Sequence, residues 1–432
     1  MSIRIPVTEL STAQREKIMN DLQIENTTTN KWLHPYEIDE DSDTISLPYH
    51  YARETLGLSA PERAAFPSLT PETCLANFTG ELRDYQKEVK REVVKLLNRQ
   101  GCCVLSLHVG WGKSMLAVYL GVKLGFKTLI IVNKLILVKQ WRELVAKVCP
   151  DSVMQFVKPK TCGERADPKA DFYIMNALNV PKLPRDYFIG VGTVVADEIH
   201  TLCATTLFKA FFPLTPRYFI GLSATPTRPD GLDALIDLYF GKARISKKLY
   251  RNHTVYAVHT GLQLKYDLNW EGRMDWNSML NSQAEHETRN DLIIDIVRMF
   301  PTRFFLILCK RVAHGRLIVD ALEQHDESVT NLLGTKRDFD ENARIVVATS
   351  QKCGVGFSHD KLNTLLLAAD MKEYFIQYLG RVFRTPDSEP IIFDLVDDNG
   401  ILKSHFASRK SVYKSTGGTV ENVYDINSLN FN

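Results

Sequence analysis

Long apolar runs are missing from the 432-residue chain, and none approaches the roughly 18–20 residues that a bilayer-spanning helix needs. The N-terminus lacks the basic, apolar and small-residue order of a secretory leader, so a soluble, intracellular protein is expected. Charge of one sign is scarce too. With a formal net charge of only +2, any hold on nucleic acid must come from a local basic surface. The eight cysteines (Cys74, Cys102, Cys103, Cys149, Cys162, Cys203, Cys309, Cys353) include no CxxC pair and sit mostly among apolar neighbours. They read as reduced, buried thiols, which argues against a disulfide framework or a cysteine metal site. What remains is ordinary globular material, 44% hydrophobic and 24% charged, long enough for two or three domains.

Residues 1–77 carry little chemical signal. Ser11 or Thr12 starts a helix with apolar positions at helical spacing, a polar acidic stretch follows, and Ile45 to Tyr49 is a short strand leading into a helix near His50 to Leu56. A small accessory domain or arm is expected there. From Phe78 the chain alternates short apolar runs with amphipathic ones, which predicts parallel α/β architecture. Strands are expected at 103–107, 128–132, 172–176, 193–197 and 218–222, forming one domain over 78–240. Residues 241–284 break the rhythm and are expected to link two domains. A second α/β domain over 285–432 has strands at 304–308, 344–348, 364–368 and 391–395 but no phosphate loop of its own.

Between the first of these strands and a helix lies Leu107-His-Val-Gly-Trp-Gly-Lys-Ser114. Gly110 and Gly112 permit backbone angles that point successive N–H groups at a polyphosphate, with Trp111 between them in the cradle. Lys113 would reach the β and γ phosphates, and Ser114 would place its hydroxyl on Mg²⁺. Asp197-Glu-Ile-His200 closes another apolar strand, where carboxylates of a parallel sheet meet ligands. Asp197 would hold Mg²⁺, Glu198 would polarise the attacking water, and His200 would report phosphate occupancy. Ser223-Ala-Thr225 follows a third strand, with hydroxyls able to bond the metal-site carboxylates. Gln377, Arg381 and Arg384 fall on one helix face and suit a γ phosphate. Each motif alone admits a plainer reading: a glycine turn, solvated acids, a simple turn, surface ion pairs. Their succession favours ATP hydrolysis with Mg²⁺.

Leu82-Arg-Asp-Tyr-Gln86, the Gly-Lys-Ser loop, Asp197 to His200, Ser223 to Thr225 and Gln377 to Arg384, in this order, resemble the motif series of superfamily 2 DExH helicases. Leu107 at the head of the loop is similar to the XPB-like branch. Gly221 to Gly231 and Arg289 to Ile293 resemble helicases of large nucleocytoplasmic DNA viruses, including the poxvirus-type transcript-release helicase. The resemblance implies two tandem RecA-like domains that clamp ATP between them and carry nucleic acid across both, in viral transcription or DNA transactions. It implies that Gln86 reads the adenine edge, with Phe78 or Tyr85 stacking on the base. It also implies strand contacts at Asn133-Lys134 with Gln140-Trp141, Asn176-Ala-Leu178, Cys309-Lys310-Arg311 and Thr349-Ser-Gln351. DNA is favoured as partner through the XPB-like branch. Duplex translocation without strand separation, RNA unwinding, and a nucleic-acid-binding scaffold with a weak ATPase stay open. One departure is Ser358, where the family carries an acidic residue, which bears on how ATP state couples to strand movement.

Overall fold

The computed structural model describes residues 2–108, 110–160, 163, 165–228, 230–336, 338–354, 359–371, 375–383 and 388–429. Arg384, Ser358 and Cys162 lie outside the described residues. The chain divides into two compact units, Met1–Lys247 and Lys248–Asn432.

Unit 1 opens with five short strands: β1 (Ser2–Pro6), β2 (Ile24–Asn26), β3 (Lys31–Leu33), β4 (Glu37–Asp39) and β5 (Thr44–Pro48). β1, β5 and β4 form an antiparallel sheet, and β2 pairs with β3. The helix Thr12–Asp21 starts where Ser11 accepts from the backbone N–H of Gln14 at 3.2 Å, and Gln14 returns the contact to Ser11 N. Residues 2–77 share their packing with the main sheet. Leu47 and Tyr49 belong to one apolar cluster with Val104, Phe219 and Phe240 of the main sheet, and Tyr49 Oη donates to Arg217 O at 2.7 Å.

The main sheet has seven parallel strands, two more than expected: β6 (Cys102–Leu107), β7 (Thr128–Val132), β8 (Met154–Phe156), β9 (Phe172–Asn176), β10 (Thr193–Asp197), β11 (Tyr218–Ser223) and β12 (Arg244–Lys247). Their order is β12-β6-β11-β10-β7-β9-β8. β7, β9, β10 and β11 are buried at every residue, as continuous apolar strands covered by helices on both faces should be. The two added strands are edge strands of three and four residues. The helix Asp84–Gln100 lays Val89, Val93 and Leu97 inward at four-residue spacing and stops at Gly101, whose φ of 74° is the left-handed cap that glycine adopts without strain.

Unit 2 contributes β13 (His253–His259), β14 (Phe305–Cys309), β15 (Val329–Leu332), β16 (Ile345–Thr349), β17 (Thr364–Leu367), β18 (Ile391–Val396) and β19 (Gly418–Val423). They form a second parallel sheet in the order β15-β16-β14-β17-β18-β13-β19, with an apolar cluster on each face. Both units are RecA-like domains. The segment 241–284, expected as a link, supplies β12 to the first sheet and β13 to the second. That segment also contains nearly all of the helix Trp276–Glu285, and Glu287–Met299 follows it. Among the described residues no helix is long and apolar enough to cross a membrane. The seven described cysteines are free, and burial pushes the thiols of Cys102, Cys149 and Cys309 up to about 12.

Candidate active site

The carboxyl end of the first sheet collects the expected groups because of strand order. β11 lies between β6 and β10, so the loop after β6, the acidic tetrad after β10 and Ser223 at the end of β11 are neighbours. Gly110 (φ 80°) and Gly112 (φ 91°) both take left-handed angles, and Gly112 caps the helix Lys113–Leu124. Any residue with a Cβ would be strained at either place, and at position 112 it would also strike Gln86 Nε2.

Gln86 is only 3% exposed and braces this loop from below. Its Oε1 accepts from Arg83 N at 2.9 Å, and its Nε2 donates to Trp111 O at 3.1 Å. The side chain expected to read a base edge is thus committed to the loop's backbone. Trp111 is buried edge-on against the exposed Tyr85, ring centroids 5.2 Å apart, whereas Phe78 packs edge-on against Tyr119. Lys113 Nζ donates to Leu107 O at 2.8 Å and to His108 O at 3.4 Å, so its ammonium lies along the loop where a polyphosphate would.

Asp197 ends β10 as a buried carboxylate with one neutral donor on each oxygen. Trp141 Nε1 donates to Oδ2 at 2.8 Å and Glu198 N donates to Oδ1 at 3.0 Å. Burial, and then the adjacent Glu198, push its pKa upward, while the Trp141 indole and the Lys113 ammonium oppose the shift. A buried carboxylate short of counter-charge fits a divalent cation. Ser114, the other residue expected at the metal, is half-buried on the first turn of the helix after Gly112. Among the described residues there is no group of three or more His, Cys, Asp or Glu that could hold a metal ion.

Glu198 has φ 51° and ψ 55°, a left-handed backbone that costs a non-glycine residue roughly 1–3 kcal/mol. Its Oε2 is buried and lies 3.4 Å from His200 Nδ1, which lies 3.0 Å from Ser223 Oγ. Burial, then Arg228 and Lys113, lower the His200 pKa to about 4, so the ring is neutral near pH 7 and its contact with Glu198 is not an ion pair. Ser223 Oγ also accepts from Thr225 N at 3.1 Å. The three residues expected to couple the site are therefore in one hydrogen-bonded chain. Sequence reasoning missed Arg228, which donates to His200 O and pairs with Asp230, whose carbonyl accepts from Thr27 N at 3.1 Å.

The candidate strand contacts lie at the carboxyl ends of adjacent strands within each unit. In unit 1, Val132 and Asn176 are register partners on β7 and β9, which brings Asn133 and the exposed Lys134 beside Asn176 to Leu178. Asn133 Oδ1 is buried without a hydrogen bond, while Asn176 Oδ1 accepts from Leu178 N at 3.0 Å and caps the following turn. In unit 2, Cys309 and Thr349 are register partners on β14 and β16. Lys310 and Arg311 follow the first, and Arg311 Nη2 donates to Asn277 Oδ1 at 2.7 Å. Trp141, expected among the strand contacts, is 2% exposed and turned inward to Asp197, so that expectation is corrected. Gln377 and Arg381 lie on the helix Phe375–Val382 and are buried at 6% and 8% exposure.

The family described as type III restriction enzyme, res subunit, matches residues 79–228. The chain is 39% identical over 408 residues to the protein named "Putative helicase 161L" of Invertebrate iridescent virus 6, covering 88% of this chain and 90% of that protein. It is 30% identical over 346 residues to "Putative helicase 055L" of Frog virus 3, covering 79% of each. A solved structure of S. cerevisiae Dbp5 bound to RNA and ADP BeF3 superposes with a TM-score of 0.57 at 13% identity, covering 82% of this chain and 94% of that one, a likeness of fold.

Proposed function

The chain belongs to the helicase family of these iridovirus proteins and is an ATP-dependent nucleic-acid helicase; we propose that its track is DNA and that the carboxyl edge of the first sheet hydrolyses the ATP. The observation that carries this reading is the convergence of Lys113, Asp197 and Glu198 from strands flanking β11. The loop's N–H groups and the N-terminus of the helix Lys113–Leu124 bind the phosphates. Lys113 exchanges Leu107 O and His108 O for phosphate oxygens. Asp197 and Ser114 would hold Mg²⁺, which would supply neutralisation of phosphate charge. Glu198, fixed by its left-handed backbone, accepts a proton from the attacking water, and neutral His200, hydrogen-bonded to Ser223, lies beside it. For Gln377, Arg381 and Arg384 the proposal is compensation of γ-phosphate charge, tested by Arg381→Ala, which lowers turnover and spares nucleotide binding.

The favoured DNA track rests on the resemblance of the loop headed by Leu107 to the XPB-like branch. Backbone phosphates are gripped by Asn133, Lys134 and Asn176 in one unit and by Lys310, Arg311 and Thr349 in the other, so binding weakens as salt rises and is largely indifferent to sequence. The domain proposal is a first RecA-like domain that includes residues 1–77 and a second beginning near Lys248, supported by the shared apolar cluster and the division into units. A strand-displacement assay on DNA and RNA duplexes, beside a triplex-displacement assay, tests the track. DNA unwinding is the expected result; unwinding of RNA alone, or triplex displacement without unwinding, contradicts it.

A further inference from the structure

We infer that Trp141 is a positioning residue for the metal site: its indole N–H fixes the rotamer of Asp197 and thereby sets the affinity for the divalent cation. The inference rests on the proposed role of Asp197 and deepens it. A buried tryptophan must place one N–H, and a backbone carbonyl would serve that need equally well. Here the partner is a side-chain carboxylate 56 positions away, at 2.8 Å, with both groups buried. The helix Leu135–Val148 points Leu137, Trp141, Val145 and Val148 inward, at spacings of four, four and three. It follows β7, whose neighbour in the sheet is β10, so the indole reaches from one strand's helix to the end of the next strand.

The bond holds one oxygen of Asp197 while Glu198 N holds the other, which leaves each oxygen one direction for a cation or its water. Without the indole, Oδ2 has no neutral donor, and only the Glu198 N–H on Oδ1 still restrains the carboxylate. Donors that orient a metal-binding side chain in this way change metal affinity by roughly ten- to hundredfold when removed. Lys134, one of the candidate strand contacts, is the N-cap of the same helix, so a candidate nucleic-acid residue and the brace of the metal carboxylate belong to one element.

The test titrates Mg²⁺ against binding of a fluorescent ATP analogue to the full chain. Trp141→Phe keeps the ring and removes the N–H. The Mg²⁺ midpoint is expected to rise at least tenfold, while analogue affinity without Mg²⁺ stays within about twofold. Leu137→Ala on the same inward face is the packing control and is expected to lower the melting temperature without moving the Mg²⁺ midpoint. An unchanged midpoint in Trp141→Phe, or an equal shift in Leu137→Ala, overturns the inference. Asp197→Asn separates the two levels: if it retains the wild-type Mg²⁺ dependence, Asp197 is not a metal ligand and the inference falls with that reading. If Trp141→Phe does not fold, the wild-type chain labelled with ¹⁵N-tryptophan supplies the measurement. The Trp141 indole signal, one of five, is expected to be protected from exchange and to shift when Mg²⁺ is added to the chain already saturated with the ATP analogue; an unmoved Trp141 signal overturns the inference, whatever Trp111 does.

Discussion

The two parallel sheets end in polar clusters of opposite character. At the carboxyl edge of the first, Asp197 is short of counter-charge, Glu198 sits on a left-handed backbone with a buried oxygen, and Lys113 leans on carbonyls of its own loop. At the same edge of the second, the charges answer one another. Arg409 donates to both oxygens of Asp394 at 2.8 Å and to Asp370 at 2.7 Å, and Tyr413 Oη donates to Asp394 at 2.8 Å. Asp397 accepts from Arg289, from Gln283 at 2.8 Å and from Thr260 at 2.9 Å. One architecture thus serves two ends: where carboxylates are left wanting, a ligand can complete them, and where they are satisfied they hold helices to the sheet. The chain's asymmetry of motifs, a phosphate loop in one half alone, is an asymmetry of electrostatic completion.

That contrast breaks most visibly under substitution. Glu198→Gln is expected to cut ATP turnover by at least about a hundredfold with no loss of melting temperature, because the proposed general base is removed and no structural partner is lost. Steady-state hydrolysis beside a thermal melt checks it. Arg409→Ala should act in reverse, destabilising unit 2 by about 3–5 kcal/mol because Asp394 and Asp370 are left buried without their partner. Denaturant unfolding should separate its transition from that of unit 1, which keeps binding nucleotide.

A pH series sharpens the comparison further. Burial, then Arg289, lowers the His314 pKa from the ordinary 6.5 to about 3. Between these values the unfolded chain binds the proton and the folded chain does not, so stability falls as pH drops from 6.5 toward 3 and levels off below. His314→Gln, which can still offer a donor to Asn290 Oδ1, is expected to flatten that part of the unfolding profile. The smallest effect belongs to Tyr413→Phe, which removes one of three donors to Asp394 and should cost about 1–2 kcal/mol of unit 2 stability while leaving ATP turnover unchanged.

The proposed hydrolytic edge is legible in the chain because its signals are local. A glycine-flanked lysine between an apolar strand and a helix, or acids closing an apolar strand, can be read within a few residues. Fully buried parallel strands such as Thr128–Val132 announce themselves by unbroken apolar composition. The rest was illegible for reasons equally physical. Met154–Phe156 and Arg244–Lys247 are too short to show a period, and they become strands because a finished sheet offers them an edge. Trp141 looks like any inward residue of an amphipathic helix, since its meaning depends on a carboxylate far along the chain. Arg409, Asp394 and Asp370 form no local motif, and β17, β18 and the helix Gly400–Ser415 bring them together. Residues 1–77 carry no motif, and their association with unit 1 follows from packing alone.

The most direct test of the central claim is steady-state ATP hydrolysis by the purified chain and by Glu198→Gln, at one low salt concentration, without polynucleotide and with single-stranded DNA, duplex DNA or RNA. The expected result is hydrolysis stimulated most by DNA in the wild type and lost in the variant under every condition. Equal rates in the two proteins would contradict the assignment of the first sheet's edge as the hydrolytic site.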